Sequence, residues 1–365
     1  MFTRPNKISE HNFYMKLAFL QAKKNLGNTS TNPSVGCIIV KNDSIVSSGV
    51  TSVNGRPHAE INALKLNKNS FASTLYTTLE PCVHYGKTSP CINQILKKKI
   101  SRVCYPILDC DKRTHNKAES ILKKNKIKVT IGVLKKKAKV FYKSYFLSQK
   151  NNTLPFLDAK IAISKDYFSV NKRKKWITNF LSRNKVHLIR SKYDCILSTY
   201  KTVNKDNSRL NCRIQGLEHL SPSRAIIDKH LKLKKKLNIY NSSKKIKTYV
   251  ITSENNKKKE KFLKSKNIKI IKIYNKKTFI NYKAILVELK KKGFSRILCE
   301  SGLHTTKELL KSNLIYNLHI FQSSNRLGKN GRNSYRNLLH NVKFKEKNKI
   351  NINLAGNELY NLRIK

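Results

Sequence analysis

Glycine, proline and acidic residues are all scarce in this chain of 365 residues, which has 12 Gly, 8 Pro, and 20 Asp plus Glu against 77 Lys plus Arg. No Gly-x-Gly-x-x-Gly stretch occurs, which excludes the usual Rossmann fingerprint. No run of 18 apolar residues occurs, so no membrane-spanning helix is expected. Residues 1–7 lack the apolar middle of a secretion signal, and a cytoplasmic protein is expected. In that compartment the eight cysteines stay reduced, and a spaced Cys/His set points to metal and not to disulfides. The shortage of acid leaves a formal net charge of +57. Lysines are nevertheless spread through every segment, as at 97–99, 135–137, 234–236 and 257–259, in company with Asn and Ile. That reads as a compositional bias with solvated faces, and no nucleic-acid partner is expected. The 39% hydrophobic content suffices for ordinary cores, and the length suggests two domains.

What is present begins with a helix around Phe13, Leu17, Phe19 and Leu20, capped by Ser9 or Asn12 and stopped by Gly27. Strands over 35–40 and 45–50 flank Lys41-Asn42-Asp43-Ser44, whose composition predicts a hairpin turn. A helix opening near Pro57 carries His58 to about Lys65. Strand 74–79, helix 91–98 and strand 102–107 follow, then a helix and a strand around Ile121 and Val129. This alternation predicts a sheet covered by helices on both faces. The polar stretch Ser148–Thr153 marks a boundary, giving domains over 1–147 and 153–365. The second shows no internal repeat of the first. It carries strands at 156–162, 195–197, 224–227, 248–252, 296–299 and 318–321, and a helix over 179–190. The lysine-heavy segments 231–247 and 257–277 show no readable pattern.

Three short motifs carry chemistry: Pro57-His58-Ala59-Glu60, Glu80-Pro81-Cys82 and Pro90-Cys91. Imidazole and thiolate are zinc ligands, and a set of three leaves a position for water, whose pKa zinc lowers towards about 7. Glu60, two residues past His58, stays free to shuttle protons between water, ring nitrogen and leaving ammonia. Cys91 at a helix start is favoured as thiolate. His84 as a fourth ligand would displace the water, so a loop or substrate-facing role is expected for it.

These motifs resemble the cytidine-deaminase superfamily, and more particularly the bifunctional riboflavin-biosynthesis deaminase/reductases. Most nucleoside and tRNA deaminases have two residues between the cysteines, whereas eight intervene here, Val83 to Pro90. Thr31-Asn32-Pro33-Ser34-Val35-Gly36 is similar to the family as well, with Asn32 expected to contact substrate. In the second half Pro155, Lys160, Ala162, Ser164 and Asp166 resemble the family's opening reductase strand and loop. Trp176-Ile177-Thr178, Arg190, Asp206-Asn207, Glu300 and Gly302 continue the likeness.

The resemblance implies a cytidine-deaminase-like α/β/α domain followed by a dihydrofolate-reductase-like α/β domain. It implies zinc on His58, Cys82 and Cys91, with Glu60 catalytic. NADPH would be held by Ala162, Trp176, Thr202, Asp206 and the turn Gly302-Leu303-His304-Thr305-Thr306-Lys307-Glu308. Substrate contacts would come from Lys174, Arg190, Leu210, Arg213 and Glu300, in a homo-oligomer. The implied reactions are hydrolytic deamination of a diaminopyrimidinone ribosylamine 5′-phosphate and reduction of its ribosyl group to ribityl. Departures stand beside the matches. Tyr167, Lys201 and Ser301 occupy family glycine positions, and Lys229 replaces a small polar residue near the cofactor, where side chains hinder close approach of a pyrophosphate. Three alternatives therefore stay open: an impaired reductase half, a tRNA or nucleoside deaminase with an unrelated second domain, and a basic nucleic-acid-binding protein with structural zinc.

Overall fold

A helix, α1 (Lys7–Ala22), opens the computed structural model, which describes residues 7–66, 70–151, 153–273 and 280–365. Ser9 and Asn12, expected as caps, lie inside it, and it ends well before Gly27. The hairpin follows as β1 (Gly36–Lys41) and β2 (Ser44–Val50). Its turn residues Asn42 and Asp43 have φ of 49° and 58°. Two left-handed residues in a row match the twist of the flanking strands, and Asn and Asp tolerate them best after glycine. Next come α2 (Ala59–Leu66), β3 (Thr74–Thr77), α3 (Cys91–Lys97) and β4 (Arg102–Tyr105). The run ends with α4 (Ala118–Lys124), β5 (Lys128–Ile131), α5 (Lys135–Phe141) and α6 (Lys143–Asn151). Helix α6 runs into the polar stretch that marks the boundary. The chain divides into two units, Met1–Asn152 and Thr153–Lys365.

The first sheet has the order β2-β1-β3-β4-β5, antiparallel through β3 and parallel beyond it. Cys37 lies opposite Gly49 on β2 and opposite Thr77 on β3. Opposite residues share a face, so these three form a row, while Gly36 points the other way. A Cβ on Gly36 would stand 1.9 Å from the Ala18 carbonyl oxygen of α1, and one on Gly49 would stand 2.2 Å from the Ala59 carbonyl oxygen of α2. Glycine at each place lets a helix rest directly on the sheet. The helices therefore cover opposite faces, closing a core that includes Met15, Phe19, Ile38, Ile39, Leu75 and Val103.

The second unit opens with β6 (Phe156–Ile163), β7 (Phe168–Asn171), α7 (Phe180–Arg190), β8 (Cys195–Thr199) and α8 (Tyr200–Asp206). It continues with β9 (Ser223–Ile227), α9 (Asn238–Asn241), β10 (Thr248–Thr252), α10 (Lys257–Ser265) and β11 (Ile268–Lys272). Then come α11 (Tyr282–Lys291), β12 (Arg296–Cys299), α12 (Leu303–Lys311) and β13 (Asn317–Gln322). It closes with β14 (Gly331–Ser334), α13 (Arg336–Asn341), β15 (Glu346–Lys349) and β16 (Glu358–Arg363). The main sheet has the order β11-β10-β9-β8-β12-β6-β13-β16-β15, parallel up to β13 and antiparallel after it. The Asn179 side chain caps α7 by accepting from the Ser182 N–H. Both units are α/β, as the alternation predicts. The lysine-heavy segments hold α9, α10 and β11, which the sequence pattern did not reveal.

Gly49→Ala must push α2 off the sheet, because the atoms in its way are backbone. We expect a loss of about 1–3 kcal/mol or more, read as a lower urea midpoint for the first unit at an unchanged slope. A variant as stable as the parent would show that the helix can step back freely.

Candidate active sites

His58 precedes α2, Cys82 follows β3, and Cys91 opens α3. One donor atom from each lies within 4.8 Å of the others, and among the described residues this is the group with metal-binding geometry. His58 Nδ1 is 3.5 Å from Cys82 Sγ and 3.3 Å from Cys91 Sγ. The Cys91 backbone N–H donates to Cys82 Sγ at 3.2 Å. Hydrogen bonding from the Cys91 side chain brings the Cys82 thiol down to about 4, against the upward pull of burial and with help from His58. The same hydrogen bond, with burial, holds the Cys91 thiol up. Two sulfurs and one imidazole nitrogen make a zinc donor set one ligand short of four, so the chemistry of these residues fits that ion. His84 stands outside the set, its Nδ1 2.9 Å from Thr114 Oγ1, and it lines the cleft instead.

Glu60 is buried beside the triad, and burial pushes its carboxyl up. Its Oε2 lies 3.6 Å from Cys91 Sγ, and its Oε1 accepts from the Thr77 hydroxyl at 3.2 Å. A cleft lined largely by polar and charged side chains opens above them. Asn32 lines it, with its amide nitrogen committed to the Gly55 carbonyl at 2.9 Å. Arg56, Asp109, Asp111 and Arg113 line it as well. Sequence reasoning missed these four: in a chain so rich in Lys and Arg, nothing singles out two arginines. It also missed what Glu80 does. This buried carboxylate accepts from the backbone N–H groups of Asp109 (2.9 Å), Asn116 (3.1 Å), Lys117 (3.0 Å) and Ala118 (3.1 Å). It thereby ties the cleft loop to the start of α4.

In the second unit Glu300 follows β12. Its buried carboxylate accepts from Arg190 Nε at 2.6 Å and Arg190 Nη2 at 3.0 Å, and Lys160 Nζ lies 3.2 Å away. Burial alone would raise this carboxyl, but Arg190 and Lys160 hold it far below the usual carboxylate range. Arg190 Nη1 donates to the Asn211 carbonyl at 3.0 Å, anchoring the loop that carries Leu210 and Arg213. Burial, then Arg190 and Arg209, lowers the Arg213 pKa. Arg213 Nη1 donates to the Asn211 side-chain oxygen at 2.7 Å. Asp206, raised by burial and opposed by Lys205, Lys175 and Lys160, lies within electrostatic reach of the same centre. Ala162 is on the same strand face as Lys160.

The remaining reductase positions divide. Thr202 sits in the first turn of α8, its N–H donating to Thr199 Oγ1. Gly302 caps α12, and the place where its Cβ would stand has nothing within 4 Å. An open helix start of this kind suits phosphate oxygens, which fits a dinucleotide. Leu303 and exposed His304 begin that helix, while Thr305 and Thr306 are buried and exposed Lys307 and half-buried Glu308 follow. Lys174 is exposed, and Trp176 is 53% exposed with Arg183 and Lys175 cations about 5.0 and 5.2 Å from its ring, so it is no core residue. The Leu210 side chain is buried in a hydrophobic cluster, which leaves only its backbone, at φ 49°, to face a ligand. Of the three glycine replacements, Tyr167 alone takes a left-handed conformation, at φ 71°. That costs about 1–2 kcal/mol. Lys201 is helical, and Ser301 has no positive φ. Lys229 lines a groove with Ile227, Thr252 and Ser253 at the carboxyl ends of β9 and β10.

Comparison with known proteins agrees with both halves. The family model described as the RibD C-terminal domain matches residues 155–354. The model for the cytidine and deoxycytidylate deaminase zinc-binding region matches residues 8–107. The riboflavin biosynthesis protein RibD of Buchnera aphidicola is 35% identical over 332 residues, covering 87% of each chain. That of Aquifex aeolicus is 33% identical over 313 residues, covering 84% of this chain and 85% of its own. The solved diaminohydroxyphosphoribosylaminopyrimidine deaminase/5-amino-6-(5-phosphoribosylamino)uracil reductase of Thermotoga maritima is 26% identical, with a TM-score of 0.82 over 99% of this chain and 100% of that one. A deaminase with an unrelated second domain does not match these spans, and a structural zinc site lacks its fourth ligand among the described residues. The chain belongs to the RibD family, the bifunctional deaminase/reductases of riboflavin biosynthesis.

Proposed function

We propose that the two units act in succession on one phosphorylated pyrimidine, with the roles distributed as follows. The single observation that carries the deaminase assignment is the His58, Cys82 and Cys91 cluster with Glu60 buried against it. His58, Cys82 and Cys91 hold zinc, which when bound supplies the Lewis acidity that makes water nucleophilic at neutral pH. Glu60 takes a proton from the attacking water and delivers it to the ring nitrogen. It carries a second to the departing amine, which leaves as ammonia while the ring carbon keeps the oxygen. Asn32, Arg56 and Arg113 orient the substrate in the cleft.

The second unit then reduces the ribosyl group in its ring-opened imine form. NADPH, when bound, supplies the hydride. Lys160, held by Glu300 and within reach of Asp206, brings the proton that the imine nitrogen requires. Arg190 commits its Nε and Nη2 to Glu300 and Nη1 to Asn211, so Arg213 with Arg209 is the better phosphate partner. Ala162, Thr202, Asp206, Trp176 and the Gly302 turn line the cofactor side. The left-handed Tyr167 supports an active reductase, since it keeps the conformation a glycine would have. All eight cysteines are free, which fits a reducing cytoplasm. Exposed Phe180, Leu181 and Leu188 on α7 suit a homo-oligomer. Among the described residues, no helix is long and apolar enough to cross a membrane.

Cys82→Ser should lose both zinc and ammonia release, and full metal content in that variant would refute the ligand assignment. Glu60→Gln should keep its zinc while ammonia release falls about 10²–10⁴-fold. For the reductase, NADPH oxidation with the deaminated substrate should be lost in Glu300→Gln and retained in Tyr167→Gly. Oxidation at the parental rate in Glu300→Gln would remove that residue from the site.

A further inference from the structure

The row of Gly49, Cys37 and Thr77 crosses three strands on the face that α2 covers. Gly49 lets the backbone of α2 settle against the sheet, which brings the Glu60 carboxyl down to β3. Thr77, fully buried at the end of β3, meets it there, donating its hydroxyl to Oε1 at 3.2 Å. The other oxygen, Oε2, is turned to the triad side, 3.6 Å from Cys91 Sγ. The last torsion of a glutamate side chain is broad, so nothing intrinsic to Glu60 fixes the plane in which its two equivalent oxygens lie. A donor fixed on one oxygen decides it, and a proton carrier held in one pose spends less of the reaction in unproductive orientations.

We propose that Thr77 is a positioning residue for deamination, its hydroxyl holding Glu60 Oε1 so that Oε2 meets the water and the ring nitrogen. The inference rests on the reading of Glu60 as the proton carrier. No zinc-deaminase motif discussed above includes this hydroxyl. It becomes visible only when strand register places β3 beneath α2.

The test measures ammonia release from the diaminopyrimidinone ribosylamine phosphate by the zinc-loaded full chain. Thr77→Val and Thr77→Ala should lower kcat about tenfold or more, with KM within about twofold and zinc content unchanged. Thr77→Ser, which restores the donor, should stay within about threefold of the parent. Serine and alanine both lack the methyl group, so their contrast isolates the hydroxyl even where valine disturbs folding. Equal kcat in those two variants overturns the proposal. Glu60→Gln, measured alongside, separates the two levels. Full turnover in Glu60→Gln sinks the reading of Glu60 and this inference with it. An inactive Glu60→Gln beside a full-rate Thr77→Ala rejects Thr77 alone.

Discussion

A carboxylate removed from water has to be given hydrogen bonds or opposite charge, and each unit is arranged around one that has been. In the first unit Glu80 takes four backbone N–H donors and so sets the path of the loop that borders the cleft. In the second, Glu300 takes Arg190 and Lys160, and Arg190 in turn takes the Asn211 carbonyl. The two devices differ in kind. Glu80 is neutralised by backbone dipoles and organises a loop, whereas Glu300 is neutralised by cations and gathers side chains from β6 and α7. In both cases the acid comes first and the geometry around it follows.

This use of acids also changes the meaning of the charge. Among the described residues, Glu60, Glu80, Asp109, Asp158, Asp228 and Glu300 are buried, six of only 20 acidic residues in the chain. Asp158 accepts from the Tyr193 hydroxyl and from Asn317, and Asp228 accepts from the N–H groups of Lys232 and Leu233. Acids taken inside cannot offset surface lysines at contact range. The basic exterior is therefore partly what remains after the interior has claimed its carboxylates.

How much of this was legible beforehand depended on whether the signal was local. His58, Glu60, Cys82 and Cys91 were readable because metal chemistry demands particular residue types, and each falls in a short recognisable motif, Pro-His-Ala-Glu, Glu-Pro-Cys or Pro-Cys. The hairpin was readable because Asn42 and Asp43 satisfy its turn directly. Thr77 and Glu80 were not, since each acts on a partner 17 or more residues away through strand register or loop closure. Leu210 was placed at the substrate from its position in a motif, yet its side chain is packed in the core, because a motif position does not say which way a side chain points. Helix α10 escaped notice for another reason. With Phe262 and Leu263 as its only apolar residues among lysines, it presents no stripe for a periodicity argument to find, and it is held by the Asn256 cap and the burial of Leu263.

The two-residue turn at Asn42-Asp43 has a kinetic side. It closes the shortest loop in the first sheet, so β1 and β2 pair at little entropic cost, whereas β3 must cross α2 to join them. Gly36 and Gly49, the seats for α1 and α2, both lie on that hairpin. The most locally closed pair of strands in the sheet is thus also the surface on which both covering helices dock. The seat of the Glu60 helix therefore lies within a single local hairpin, whereas Cys82 and Cys91 reach Glu60 only through longer closures of the chain.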